Sequence, residues 1–286
     1  MSSPTPEPVG NHTSLWGEGP IWHRDRLLYV DIEGRKVIAL NPVTGEEKIW
    51  EVGERVGTVV AREAGGIIFA GELGISLLDE ATGSMTRLAD PEADLRGNRF
   101  NDGKCDPAGR FWAGTMPLGE RKPVASLWCM EADHSVSKKF TNVTVSNGLV
   151  WTRDTQTMYY IDTPRRNVLA FDFDVQTGAI SNERVALDTA PFSGNPDGMT
   201  IDAEDRLWIA FCHGSAVRCF DSQTWKMETE IAVPCEEVTA CAFGGPDLQD
   251  LYISTGQKKN ETAPLAGKIF VTRPGVRGVK AFTFAG

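Results

Sequence analysis

The chain has 286 residues, 41% hydrophobic and 24% charged, with a formal net charge of -10. Those proportions suit a packed core, while the acidic balance works against binding nucleic acid, whose phosphates call for Lys and Arg. No window approaches the roughly 20 apolar residues of a membrane span, and Met1 to Pro8 has neither a basic leader nor an apolar export core.

The expected setting is therefore the cytosol, with no membrane or nucleic-acid partner and no evident obligate protein partner. Cys105, Cys129, Cys212, Cys219, Cys235 and Cys241 lie far apart with no C-x-x-C spacing, so they are expected to be reduced, buried thiols. The sequons at Asn11, Asn142 and Asn260 then carry no meaning, because glycosylation requires secretion.

In chain order, one phrase of strand, tight turn and strand recurs. Gly19 to Ile32, Thr58 to Ala70, Gly103 to Ala113, Gly148 to Ile161, Gly198 to Phe211 and Ala240 to Ile253 each carry it. Within the fifth, Gly198 to Ile201 reads as a strand, Asp202 to Asp205 as the turn and Arg206 to Phe211 as the partner, with Asp197 in the loop just before. Most phrases are followed by another strand and a turn that Asp or Asn opens and Gly closes, as in Asn41 to Gly45, Asp79 to Gly83 and Asp172 to Gly178.

A period of about 40 to 50 residues without long helical periodicity is that of a four-stranded propeller blade. The expectation is an all-β, six-bladed β-propeller occupying 1–286 as one domain. Residues 1–15 would supply a flexible start and an outer strand that closes the ring. Trp22, Trp112, Trp151 and Trp208 recur by blade and read as packing between sheets.

In such a fold the first strand of each blade lines the central channel, so the residue before it sits at the channel rim. Those places hold Glu18, Asn101, Asn147 and Asp197, with Val56-Gly57 and Thr239 in the remaining two blades. Any single Asn or Asp before Gly reads most simply as a turn residue. At equivalent places together, these four form a hard, all-oxygen set suited to calcium, magnesium or manganese, with zinc open as well.

His12 and His134 read as surface loop residues, and His23 and His213 as structural. Asp172-Phe-Asp174 echoes a calcium loop faintly, but Gln176 and Thr177 make it a β-turn.

Gly17-Glu-Gly-Pro20, Asn98-Arg-Phe-Asn-Asp-Gly103, Phe111-Trp-Ala-Gly-Thr-Met116, Val145-Ser-Asn-Gly148, Pro196-Asp-Gly-Met199 and Phe284-Ala-Gly286 together resemble the regucalcin, or senescence-marker-protein/gluconolactonase, family over essentially the full length. The resemblance implies one divalent ion, calcium foremost, ligated by Glu18, Asn147 and Asp197. It also implies Arg99 and Asn101 on substrate oxygens, and hydrolysis of sugar-acid lactones. Members of the family carry an acid soon after Gly-Thr-Met; here Pro117-Leu118-Gly119 intervenes, and Glu120 is the displaced candidate for substrate contact.

The mechanism expected is Lewis-acid polarisation of the lactone carbonyl with Asp197 as general base. Leu118 to Val124 is the stretch expected to lie over the site. Alternatives are a calcium-binding regulatory protein with little turnover, an interaction scaffold, and a hydrolase of phosphotriesters or bulkier lactones on the same fold.

Overall fold

Short strands joined by tight turns cannot bury their apolar faces alone, and in this chain they do so by stacking sheet on sheet. A computed structural model describes residues 5–260 and 262–286. It shows six four-stranded antiparallel sheets arranged as a β-propeller. Blade one comprises Gly17–His23, Arg26–Asp31, Lys36–Leu40 and Glu47–Glu51, and blade two Val56–Ala61, Ile67–Gly71, Gly74–Leu78 and Met85–Ala89.

Blade three is Asn98–Cys105, Phe111–Pro117, Ala125–Met130 and Val136–Val143. Blade four is Ser146–Trp151, Thr157–Asp162, Asn167–Asp174 and Ala179–Asp188. Blade five is Asn195–Ile201, Leu207–Cys212, Ala216–Phe220 and Met227–Ala232. Blade six takes Val238–Gly244, Asp250–Thr255 and Ile269–Thr272 from the end of the chain and Glu7–Val9 from its beginning.

Pairing Glu7 with Val271 and Val9 with Ile269 joins the two ends of the ring, so the last sheet has the same four strands as the others. This covers the backbone edge that Ile269–Thr272 would otherwise expose. The first four residues of the expected flexible start lie outside the described residues.

The inner strands are packed on both faces and show no alternation: every residue of Val56–Ala61 and Val238–Gly244 is buried. Outer strands such as Met85–Ala89 face solvent. Tryptophans fill the wedges between blades. Trp112 meets Trp151 of the next sheet edge-on at 5.7 Å, and Trp208 meets Phe243 at 5.6 Å. All six cysteines are buried.

Two turn devices hold the hairpins. In the first, an Asx oxygen collects the N–H groups two and three residues on: Asp79 Oδ1 accepts from Ala81 and Thr82 at 3.0 and 2.7 Å, and Asp221 Oδ1 from Gln223 and Thr224 at 3.0 and 2.6 Å. Asn41 does the same. In blade four the turn is opened by Asp174, not Asp172 as expected, because Asp174 Oδ1 reaches the Gln176 N–H at 2.8 Å, while Asp172 points outward to Asn182 and Arg184.

The second device is a buried carboxylate. Asp106 accepts from the Arg110 guanidinium and the Trp112 indole N–H, both at 2.9 Å, and Asp202 accepts likewise from Arg206 at 2.8 Å and Trp208 at 2.9 Å. Both Asp residues are fully buried. A spacing of Asp, Arg four residues later and Trp six residues later therefore pins a core tryptophan to its own hairpin.

The final residues run along the turns that end the inner strands. Gly278 N–H donates to Leu248 O, Phe284 N–H to Ala61 O and Ala285 N–H to Gly109 O, and the Phe284 ring is fully buried. That packing accounts for the terminal Phe284-Ala-Gly286 motif. His12 departs from expectation: its side chain is largely buried and lies 3.2 Å from Asp31 Oδ2. Asp31 also gathers the Leu15, Trp16 and Gly34 N–H groups, and these hydrogen bonds pull its carboxyl below the usual range despite burial. His134 is half-buried, stacked on Phe284.

Candidate functional site

Every inner strand carries a bulge at the same level. In blade one, Glu18 pairs with Val30 but Ile21 with Leu28, so one extra residue is inserted. The same insertion falls after Val56, Phe100, Ser146, Pro196 and Val238. Asn101, Asn147 and Asp197 are thus bulge residues inside strands. Asp197 was expected in the loop before its strand; instead the strand begins at Asn195, and the bulge turns the carboxylate toward the axis. A bulge re-aims a side chain without ending the ladder.

The glycines that follow are not there for turns. At Gly148 a Cβ would sit 2.8 Å from Asp197 O, and at Gly198 it would sit 2.4 Å from Ala240 Cβ. Neither has a positive φ. The inner strands pass so close at this level that only glycine fits. In blades two and six, Thr58 and Thr239 bind backbone instead, donating to Gly103 O at 2.8 Å and Gly17 O at 2.6 Å.

Glu18, Arg99, Asn101, Asn147 and Asp197 come together on one cavity of about 570 Å³, within the roughly 300–1,000 Å³ typical of small-molecule sites. All five are at least nine-tenths buried. A chain of hydrogen bonds orients them. Arg99 Nη1 donates to Asn101 Oδ1 at 2.8 Å, and Asn101 Nδ2 donates to Ser146 O at 2.7 Å and Asn147 Oδ1 at 3.1 Å. Asn147 Nδ2 donates to Thr163 Oγ1 at 2.7 Å, and that hydroxyl donates to Pro196 O at 2.8 Å. Thr163 stands in the single 3₁₀ turn among the described residues.

The charges at the base of the cavity are unbalanced. Burial, then the proximity of Asp197 and Asp102, pushes the Glu18 carboxyl well above the usual range. Burial and Asp102 do the same to Asp197. Asp102 is raised by burial, with Lys104 acting against it. Asp197 Oδ1 is buried with no hydrogen-bond partner among the described residues. Carboxylates so placed favour a cation. Two carboxylates and an amide carbonyl, one oxygen of them unpartnered, fit a hard divalent ion.

Arg55, Arg99 and Arg121 also line the cavity, with Glu33 3.1 Å and Glu72 3.4 Å from Arg55. Burial lowers the Arg99 pKa to about 10. Met116, Pro117 and Leu118 close one side, so the first residue of the expected covering stretch does border the cavity.

Glu120 does not. Its side chain is 76% exposed and 2.9 Å from Lys122 Nζ, while its neighbour Arg121 lines the site. The loop beyond Pro117 leaves the sheet, and its residues 118–124 are all exposed.

His213, expected to be structural, also lines the cavity, beside Cys212. Cys212 ends the second strand of blade five and His213 follows it, and the end of that strand pairs with the start of the first, as Asn195 with Cys212. The signal lay in that hairpin: residues ending the second strand reach the same rim as residues opening the first.

A six-bladed propeller with a buried, oxygen-rich acidic site at the channel mouth is the class of protein these observations define. A family model described as "SMP-30/Gluconolactonase/LRE-like region" matches residues 16–257. Regucalcin of Danio rerio is 40% identical over 296 residues, spanning 100% of both chains. Among solved structures, a calcium-binding protein, regucalcin, from Agrobacterium tumefaciens matches with TM-score 0.93 at 25% identity, over 100% of this chain and 98% of that one. A luciferin-regenerating enzyme matches with TM-score 0.91 at 28% identity, over 99% and 100%. The chain belongs to the SMP-30/gluconolactonase/LRE-like family.

Proposed function

We propose that the chain is a metal-dependent hydrolase that opens sugar-acid lactones. The observation that carries this reading is the buried set Glu18, Asn147 and Asp197, with Asp197 Oδ1 unpartnered, sharing one cavity with Arg99. A divalent ion held by those three residues, calcium by analogy with the Agrobacterium relative, would supply Lewis acidity toward the lactone carbonyl.

Asn101 spends both amide hydrogens on Ser146 and Asn147, so its part is to fix the Asn147 carbonyl and the Arg99 fork. Arg99, which lines the cavity, commits Nη1 to Phe100 O and Asn101, and its remaining N–H groups are the donors it can offer to ring or hydroxyl oxygens. Asp197, as general base, takes the proton of the attacking water. Water adds to the carbonyl carbon, the ring C–O bond breaks, the proton held by Asp197 passes to the ring oxygen, and the products are a hydroxyl and a carboxylic acid that ionises to the carboxylate. Arg55 and Arg121 complement the carboxylate's new charge.

The test is acidification of glucono-δ-lactone above its spontaneous rate, with and without chelator. Wild type should accelerate it, and Asp197→Ala or Glu18→Ala should remove the metal-dependent part. Full turnover in chelator would sink the mechanism. Tight calcium binding without acceleration, on a panel of five- and six-carbon aldonolactones, bulkier lactones and phosphotriesters, would favour the calcium-binding reading that the Agrobacterium relative's description suggests.

A further inference from the structure

Beside the oxygen set stands a group of different chemistry. Cys212 Sγ lies 3.0 Å and His213 Nδ1 2.9 Å from the same atom, Glu237 Oε2. One ligand atom from each of the three residues lies within 4.8 Å of the other two. Glu237 is fully buried, Cys212 nearly so, and His213 is half-exposed with its ring toward the cavity mouth.

The backbone fixes the arrangement. Cys212 is bridged on one side to Asn195 and on the other to Glu237. His213 takes φ +61, a left-handed conformation uncommon for a side chain of its size.

An independent observation points to a ligand. Glu237 Oε1 is buried and has no hydrogen-bond partner among the described residues, although its twin oxygen accepts from the Cys212 thiol and lies 2.9 Å from His213 Nδ1. Among the described residues, no Lys or Arg side chain lies within ion-pair distance of Glu237, and the one basic side chain there is His213 itself. A buried carboxylate serving only to hold a hairpin end would be expected to satisfy both oxygens, as Asp202 does in this same blade.

We propose that Cys212, His213 and Glu237 form a second metal site, selective for a thiophilic divalent ion such as zinc, with an open position toward the cavity. One sulfur, one imidazole nitrogen and one carboxylate oxygen are zinc ligands, and three protein ligands with an open fourth position is the arrangement of sites that take a further group. The neighbouring Glu18, Asn147 and Asp197 set is all oxygen and suits harder ions. Binding breaks the Cys212 S–H bond, its electron pair forms the sulfur–metal bond, and the proton leaves to solvent. No oxidant or reductant is required. The inference does not depend on the lactonase reading.

Chelator-stripped protein is dialysed to equilibrium against zinc alone and calcium alone, and a cobalt(II) complex is recorded by absorption. Zinc should bind with one equivalent more than calcium, and the cobalt complex should show a thiolate charge-transfer band. Cys212→Ser should abolish the band and weaken the extra zinc equivalent by about a hundredfold or more, and His213→Ala should weaken it by at least about tenfold. Both variants should keep the calcium equivalent, which also reports that they have folded. Equal zinc and calcium stoichiometries, a cobalt complex without the thiolate band, or an extra zinc equivalent unaffected by both substitutions would overturn the assignment.

Discussion

Replacing Asp197 by Asn keeps the side chain's shape and removes its charge from a place where Glu18 and Asp102 repel it. Without a cation, one carboxylate oxygen is buried and unpartnered, a situation that costs about 1–3 kcal/mol. In chelator, the variant should therefore be more stable than wild type by about 1–3 kcal/mol, a rise in Tm of roughly 2–6 °C for a chain of this size.

The gap should widen with pH. Unfolded, these carboxyls release protons near their ordinary values of 3.8 for Asp and 4.5 for Glu, whereas the folded protein holds them longer. Stability without a cation thus falls as pH rises through the window above those values. Calcium reverses the order. At about a hundred times Kd it should add about 2.7 kcal/mol to wild type and nothing to Asp197→Asn. The assay is thermal unfolding at several pH values with chelator or calcium. A variant no more stable than wild type in chelator, or one still raised by calcium, would refute the reasoning.

Asp202→Ala strips the acceptor from the Arg206 guanidinium, the Trp208 indole and two backbone N–H groups, and should cost about 3–5 kcal/mol in denaturant unfolding; an unchanged midpoint would show the device to be ornamental. Gly148→Ala forces a Cβ within 2.8 Å of Asp197 O and 2.7 Å of Met199 Cγ. It should cost about 1–3 kcal/mol and at least about tenfold in calcium affinity by calorimetry, because Asn147 and Asp197 move apart. Arg99→Ala should lower kcat/KM by about tenfold or more, since it removes donors facing the substrate. Glu120→Ala, on an exposed ion pair outside the cavity, should change it by less than about twofold; a larger loss would mean that the loop folds over bound substrate.

The blade period and the hairpin turns were readable along the chain because they are local. Asp79 needs only its own next few N–H groups, and so does Asp221. The pairing of Asp106 with Arg110 and Trp112 is equally local, and its spacing repeats at Asp202, Arg206 and Trp208. Glu18, Asn101, Asn147 and Asp197 could be aligned by repeat position, since each blade places the same point of its inner strand at the same height. Glu120 was misplaced for the converse reason: no repeat constrains the loop after Pro117, so its direction follows from local packing.

What the sequence by itself determined was the number of blades, the hairpins and the polar residues that share a level. Tertiary structure alone decided which of them meet and how. The bulges put Asp197 inside a strand, and the closeness of adjacent inner strands, rather than turn geometry, accounts for Gly148 and Gly198. The bridge from Cys212 to Glu237 joins residues of two blades, a contact with no signature in the order of either segment. Burial is a property of the closed ring, and it is burial that turns an Asp and a Glu distant in sequence into a site calling for a cation.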